Sequence, residues 1–193
     1  MPADQPPPRR RDAEENRERL VAAAREVFAA DGFDAPLDAI ARRAGVGRAT
    51  LYRNFPDRSA LAAAIFADNL AALEDLARAR RDQPNAFMAL LTAAVDQQIE
   101  VHALFPALLS APDAPDLQVL ARRVMRLLAA PLRRARAARE VRPDLTAADV
   151  LAVLAMIAAV VSGDTSVRSR RHSALRALEL LLHGVVPRDA ANR

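Results

Sequence analysis

Apolar residues in this chain recur at the three- and four-residue spacing of helices, with no stretch of the two-residue alternation of a half-buried strand. Leu20, Val21, Ala24, Val27 and Phe28 set the pattern first. Asp12 with Glu15 forms a capping-box-like pair that is expected to start this helix. Gly32 is expected to end it as a left-handed cap, with Phe33 placed to fold back on it. A short helix follows from about Pro36 to Ala44, burying Leu37, Ile40, Ala41 and Ala44; Pro36 suits a first turn. Gly45-Val46-Gly47 reads as a tight turn. A second short helix covers Arg48 to about Asn54, with Leu51 and Phe55 one turn apart. Pro56 stops it and Asp57 caps the next helix, from Arg58 to about Arg81, with Leu61, Ile65, Leu73 and Leu76 inward.

Beyond the break at Gln83-Pro84-Asn85, the spacing predicts a helix over 86–103. Pro106 and the segment 110–116 interrupt the pattern. The next helix spans about 117–139, and Pro131 is expected to kink or split it. Thr146, with Asp149 three residues on, caps a helix to about Val161. A polar loop from Gly163 to Ser169 precedes a last helix from about Arg170 to His183, ended by Gly184 and Pro187. The expected fold is all-α with about nine helices and no internal repeat.

Composition sharpens this reading. An apolar fraction of 52% excludes a disordered chain, and the alanine- and leucine-rich mix, with 4% aromatics, favours helix. At 193 residues the chain can bury a core without staples. It has no cysteine, which excludes disulfides, zinc ribbons and a thiol nucleophile. The N-terminal MPADQPPPRRR lacks the apolar region of a signal peptide, and Val150 to Val161, the longest apolar run, is too short for a bilayer. A cytoplasmic protein with no membrane partner is expected. Every basic residue is arginine, and the net charge is +4. Between Arg42 and Arg58 stand five arginines and one acid, a local excess that suits a polyanion.

That excess falls on two short helices around a Gly-Val-Gly turn, the pattern of a helix-turn-helix whose second helix enters the major groove. With Leu51 and Phe55 turned inward, Ala49, Thr50, Tyr52 and Arg53 point outward, and the small Ala49 lets the backbone approach base edges. The stretch LDAIARRAGVGRATLYRNFPDRSAL closely resembles the N-terminal signature of the tetracycline-repressor (TetR) family. Its marks are Ile40-Ala41, Ala44-Gly45-Val46, Thr50-Leu51-Tyr52, Phe55 and Arg58, and the likeness covers about residues 12–70. The resemblance implies base contacts from Arg48 and Ala49, and phosphate contacts from Thr50, Tyr52 and Arg58. Arg53 and Asn54 complete the expected DNA-binding set. The pattern departs from the family at three places. Ala35-Pro36 replace a capping Ser or Thr that also touches phosphate. Gly47 replaces a serine, which weakens the cap of the reading helix. Asn54 stands where histidine is common. The resemblance further implies a C-terminal helical ligand-binding and dimerisation domain.

The expected organisation is a disordered basic arm over 1–11, a three-helix, homeodomain-like head over 12–57, a helical body over 58–187 and a tail over 188–193, with helix 58–81 joining head and body. Arg9-Arg10-Arg11 reads either as a minor-groove arm or as a solvated charge run. The last two long helices are expected to form a dimer interface. Ala148, Ala152, Ala155 and Ala159 make one stripe, and Leu175, Leu178 and Leu182 the other. An apolar face on helix 86–103, with Phe87, Leu91 and the polar Gln98 and His102, marks the expected ligand site, which Phe105, Met125 and Met156 are expected to line. Asp96, Glu100 and His102 do not share one helix face, so no metal is expected, nor any cofactor. The chain shows no P-loop, dinucleotide fingerprint or nucleophile elbow, so no enzyme is expected. The reading is a dimeric regulator of a palindromic operator in double-stranded DNA, a repressor released by an unknown small, mainly apolar effector. An activator, or a regulator without a small-molecule effector, is the alternative.

Overall fold

The computed structural model describes residues 8–102, 104, 117–162 and 166–183. Among them the chain forms eight helices and no strand: α1 (Pro8–Asp31), α2 (Leu37–Ala44), α3 (Arg48–Asn54), α4 (Arg58–Ala79), α5 (Ala86–Glu100), α6 (Leu117–Ala137), α7 (Ala147–Ser162) and α8 (Val167–His183). The expected start of α1 at Asp12 is corrected: the helix begins at Pro8, so Arg9 to Arg11 are helical rather than an arm. Proline's fixed φ suits a first turn, and this moves the capping position upstream of the Asp12–Glu15 pair. Residues 1–7 and 184–193 lie outside the described residues, as does the segment 105–116.

Local chemistry explains most of the ends. Gly32 (φ 83°) closes α1 with its N–H on the Phe28 carbonyl at 3.1 Å, and the Phe33 ring packs 5.4 Å from that of Phe28. Gly45 (φ 65°) caps α2 in the left-handed region, with Val46 N–H donating to Ala41 O at 3.0 Å. Gly47, the other glycine of the turn, is extended (φ −71°), so only Gly45 needs the freedom that the sequence assigns to the pair. Asp57 accepts from Ala60 N–H at 2.8 Å and starts α4. Thr146 and Asp149 form a reciprocal capping box: Thr146 N–H donates to Asp149 at 2.7 Å, and Asp149 N–H to the Thr146 hydroxyl at 3.1 Å. Of the two outcomes expected at Pro131, the split does not occur: α6 runs through it without a stop. The missing proline N–H costs one ladder bond, and the buried neighbours Leu128, Leu132 and Ala135 anchor both halves of the helix to one core.

Two apolar clusters result. The head cluster gathers α1, α2 and α3 around Leu20, Phe28, Ile40, Leu51 and Phe55. It also takes in Leu61, Ala62, Ala64 and Ile65 from the first half of α4, and Val101 and Leu104 just beyond α5. The body cluster joins α5, α6, α7 and α8 around Phe87, Val95, Leu132, Ile157 and Leu178. Thus α4 roots in the head, and its continuation packs on α5 and α6 of the body.

Candidate DNA interface and cavity

Leu51 and Phe55 are 1% and 2% exposed, which presses one side of α3 onto the head core. The opposite side stands in solvent: Arg48, Ala49 and Arg53 are exposed, and Tyr52 is 45% exposed. Thr50 and Asn54 are half-buried at the edges of this face. Within it, Arg53 donates to the Thr50 hydroxyl at 3.0 Å and the Asn54 amide to the Thr50 carbonyl at 2.7 Å. The free face therefore offers arginine forks, a phenol and a hydroxyl around a small alanine, the donor set that phosphates and base edges accept.

Charge in space differs from charge along the chain. Three of the five arginines between Arg42 and Arg58 pair with acids from outside that window. Arg43 is held by Glu26 of α1, Arg48 by Asp38 of α2 at 2.9 Å, and Arg58 by Asp34 at 3.1 Å. These pairs are largely solvent-exposed and are worth about 0–1 kcal/mol, so a phosphate can replace the carboxylate at little cost. Arg58 is the most engaged of the expected DNA-binding residues. It also donates to the Phe33 carbonyl at 3.0 Å and lies 5.7 Å from the centre of the Phe33 ring. It holds the α1–α2 turn against α4, a structural task that its place in the sequence does not reveal.

A cavity of about 320 Å³ opens between α4, α5, α6 and α7, at the small end of ligand pockets, which run from roughly 300 Å³ upward. Among the described residues its wall is apolar apart from Asn69, Gln97, Gln98 and His102, and none of these lining residues is an acid, an arginine or a lysine. Gln98 donates to the Leu154 carbonyl at 3.1 Å, joining α5 to α7. Burial, then the positive charge of Arg170, hold the His102 imidazole below the ordinary histidine value, against an upward pull from the Ile99 backbone.

Of the expected ligand residues, the structure brings Leu91, Gln98 and His102 together on this wall. Phe87 is not on it: α5 turns that ring into the body cluster, fully buried. Met125 is half-buried on α6 and outside the wall, and Met156 is 46% exposed on the outer face of α7. Phe105 lies outside the described residues. Phe66, Asn69, Leu70 and Leu73 of α4 and Gln97 of α5 also line the wall, beyond the residues that the sequence singles out. Asn69 did leave a trace in the sequence, as an amide between Ile65-Phe66 and Leu70 on an otherwise apolar helix face.

Among the described residues nothing packs over the outer face of α7 and α8, which presents a run of apolar side chains. Ala148, Ala152, Ala155 and Ala159 are exposed, together with Met156, Val160, Leu175 and Leu182. Leu178 departs from the expected stripe: it is 7% exposed and belongs to the body cluster, because α8 turns it towards α5 and α7. Asp96 faces Arg171 at 3.4 Å. Among the described residues, no group of three or more His, Cys, Asp or Glu is placed to hold a metal ion, and no helix is long and apolar enough to cross a membrane.

Comparison with known proteins agrees with this geometry. Residues 20–65 match the family model "Bacterial regulatory proteins, tetR family", and residues 82–187 match "Transcriptional regulator SbtR-like, C-terminal domain". The chain is 34% identical to the TetR transcriptional regulator SCO0520 of Streptomyces coelicolor, with a TM-score of 0.61, covering 89% of this chain and 99% of that one. The HTH-type transcriptional regulator SrpR of Pseudomonas putida is 45% identical over 64 residues, 33% of this chain and 30% of SrpR. In fold alone the chain is also similar to FadR of Thermus thermophilus, a TetR-family repressor solved in complex with lauroyl-CoA (22% identity, TM-score 0.56, 89% of this chain and 96% of that one). With both halves matched, this chain belongs to the TetR family and is a DNA-binding transcriptional regulator.

Proposed function

We propose that this regulator is a repressor that grips a palindromic operator as a homodimer and releases it when a small, mainly apolar molecule fills the cavity. One observation carries the reading. Phe66 of α4 and Val101, just past α5, face the cavity and also pack on the head cluster. An occupant that pushes these side chains pushes the base on which the reading helix stands. A well-packed interior passes on such a shift rather than absorbing it.

On DNA, Arg48 and Ala49 meet base edges. Thr50, Tyr52 and Arg58 meet phosphates, with Arg53 and Asn54 beside them. Two copies, joined through Ala152, Ala155, Ala159, Leu175 and Leu182, set their α3 helices about one DNA turn apart, roughly 34–36 Å. Leu178 stays in the fold of each protomer. The mainly apolar wall of described residues favours an uncharged or weakly polar effector, since a charge taken out of water against apolar side chains is costly. FadR, which shares the fold, is a repressor solved in complex with lauroyl-CoA, a precedent for a regulator of this fold that takes a small molecule.

Selection of bound duplexes from a random pool is the test. A two-fold symmetric site is expected, with affinity falling steeply as salt rises, by a slope of about −0.9 per phosphate neutralised. Small apolar compounds that stabilise the protein should lower that affinity. A flat salt response would sink the arginine-to-phosphate reading. If deleting the regulator silenced its target instead of relieving it, the chain would be an activator.

A further inference from the structure

Asn69 is one of two polar or charged residues buried among the described residues, at 8% exposure in the middle of α4. Two partners approach it from opposite directions. From the head, one guanidinium N–H of Arg25 on α1 donates to the Asn69 side-chain oxygen and another to the Ile65 carbonyl at 3.3 Å. From the body, the Gln97 amide of α5 donates to the Asn69 backbone carbonyl at 3.1 Å. Asn69 and Gln97 both stand on the cavity wall. A single residue thus ties the reading head, the connecting helix and the cavity together.

The chemistry makes this joint stiff. Arg25 is half-buried, and its acceptors here are neutral oxygens rather than a carboxylate. A guanidinium cannot shed its charge, so losing those acceptors at a half-buried site is costly. If Asn69 moves, Arg25 moves with it, and α1 follows. α1 carries Leu20 and Phe28, which pack in the same cluster as Leu51 and Phe55, the two side chains that seat α3.

We propose that Asn69 is a positioning residue that reports the state of the cavity to α1: Gln97 grips it on the cavity side and Arg25 on the head side. This rests on the effector reading above and names the residues that would transmit it. A bond that only satisfied buried polar groups would support stability and nothing else. A transmitting joint makes DNA affinity depend on Gln97, and only while Arg25 is present.

The test is a double-mutant cycle on the full-length protein with its selected operator, read by fluorescence anisotropy and by thermal melting. Gln97→Met keeps the volume and removes the donor, and it should lower operator affinity by about fivefold or more, the range of allosteric couplings. In an Arg25→Met background the same change should alter affinity less than about twofold, while the losses in melting temperature add. Gln97→Asn, which keeps an amide but shortens its reach, should behave like Gln97→Met and serves if the latter folds poorly. Unchanged affinity on loss of the Gln97 donor, or an equal effect with and without Arg25, would overturn the joint and leave the regulator reading standing. Failure to select any operator would overturn the proposed operator recognition and the joint with it.

Discussion

In the head, apolar side chains face one another and little is left over: Leu20, Phe28, Ile40, Leu51 and Phe55 are fully buried, and the outer surface carries arginine. The body packs Phe87, Leu90, Val95 and Ile157 as tightly, yet its apolar surface is not used up. Some of it lines the cavity, and some lies on the outer face of α7 and α8, where Met156, Val160, Leu175 and Leu182 are exposed. The head spends its apolar residues on its own fold and meets its partner with charge. The body keeps apolar surface in reserve, which folding alone does not require, and patches of this kind mark partner surfaces.

Core truncation gives the largest expected effect. Phe55→Ala should cost about 3–5 kcal/mol and abolish operator binding, measured by melting temperature and anisotropy. Leu154→Ala, on the cavity wall, should cost less, since that site already borders space. Equal losses would break the contrast between a closed head and an open body. Next, Leu175→Asp should weaken self-association by about 1.5–3 kcal/mol while leaving the monomer fold intact. Sedimentation velocity checks this, and an unchanged oligomeric state would remove Leu175 from the interface.

Smaller changes are expected at the DNA face. Tyr52→Ala should weaken binding to all duplexes about equally, whereas Arg48→Ala should cost about 1–3 kcal/mol and also relax base preference at one position. Binding assays on single-base variants of the operator separate the two, and an unaltered preference would strip Arg48 of its base-reading role. The smallest effect is acid sensitivity of the body. Burial, then Arg170, hold His102 below the ordinary histidine value of 6.5 in the folded state. The unfolded chain therefore takes up that proton first as pH falls. The His102 contribution is fully present above about pH 6.5 and is lost as pH drops from there through the folded value. His102→Gln should flatten this part of a melting-temperature profile, and an unchanged profile would show that the imidazole does not titrate as described.

Residues 20–58 could be read almost completely in advance, for a local reason. Gly32, Gly45, Pro56 and Asp57 punctuate the helices through their own backbone preferences. Leu51 and Phe55 declare the buried side of α3 by being one turn apart. The Thr146–Asp149 cap was equally legible, because both partners lie within one helical turn. Interactions between distant segments were not. That Phe87 packs in a core rather than a cavity depends on how α5 is rotated against α6, α7 and α8. Leu175 and Leu178 look alike in a stripe of leucines, and only the packing of α8 buries the second and leaves the first outside.

By itself, the sequence determined the helical class, the helix-turn-helix with its outward-facing residues, and the local excess of arginine, since each rests on neighbours a few positions apart. The tertiary structure alone decided which arginines of the head are paired, where the cavity lies, and that Arg25, Asn69 and Gln97 meet. Partners 26 or more residues apart, such as Arg19 with Gly45 or Arg25 with Asn69, are brought together by helix packing, and no local pattern encodes that.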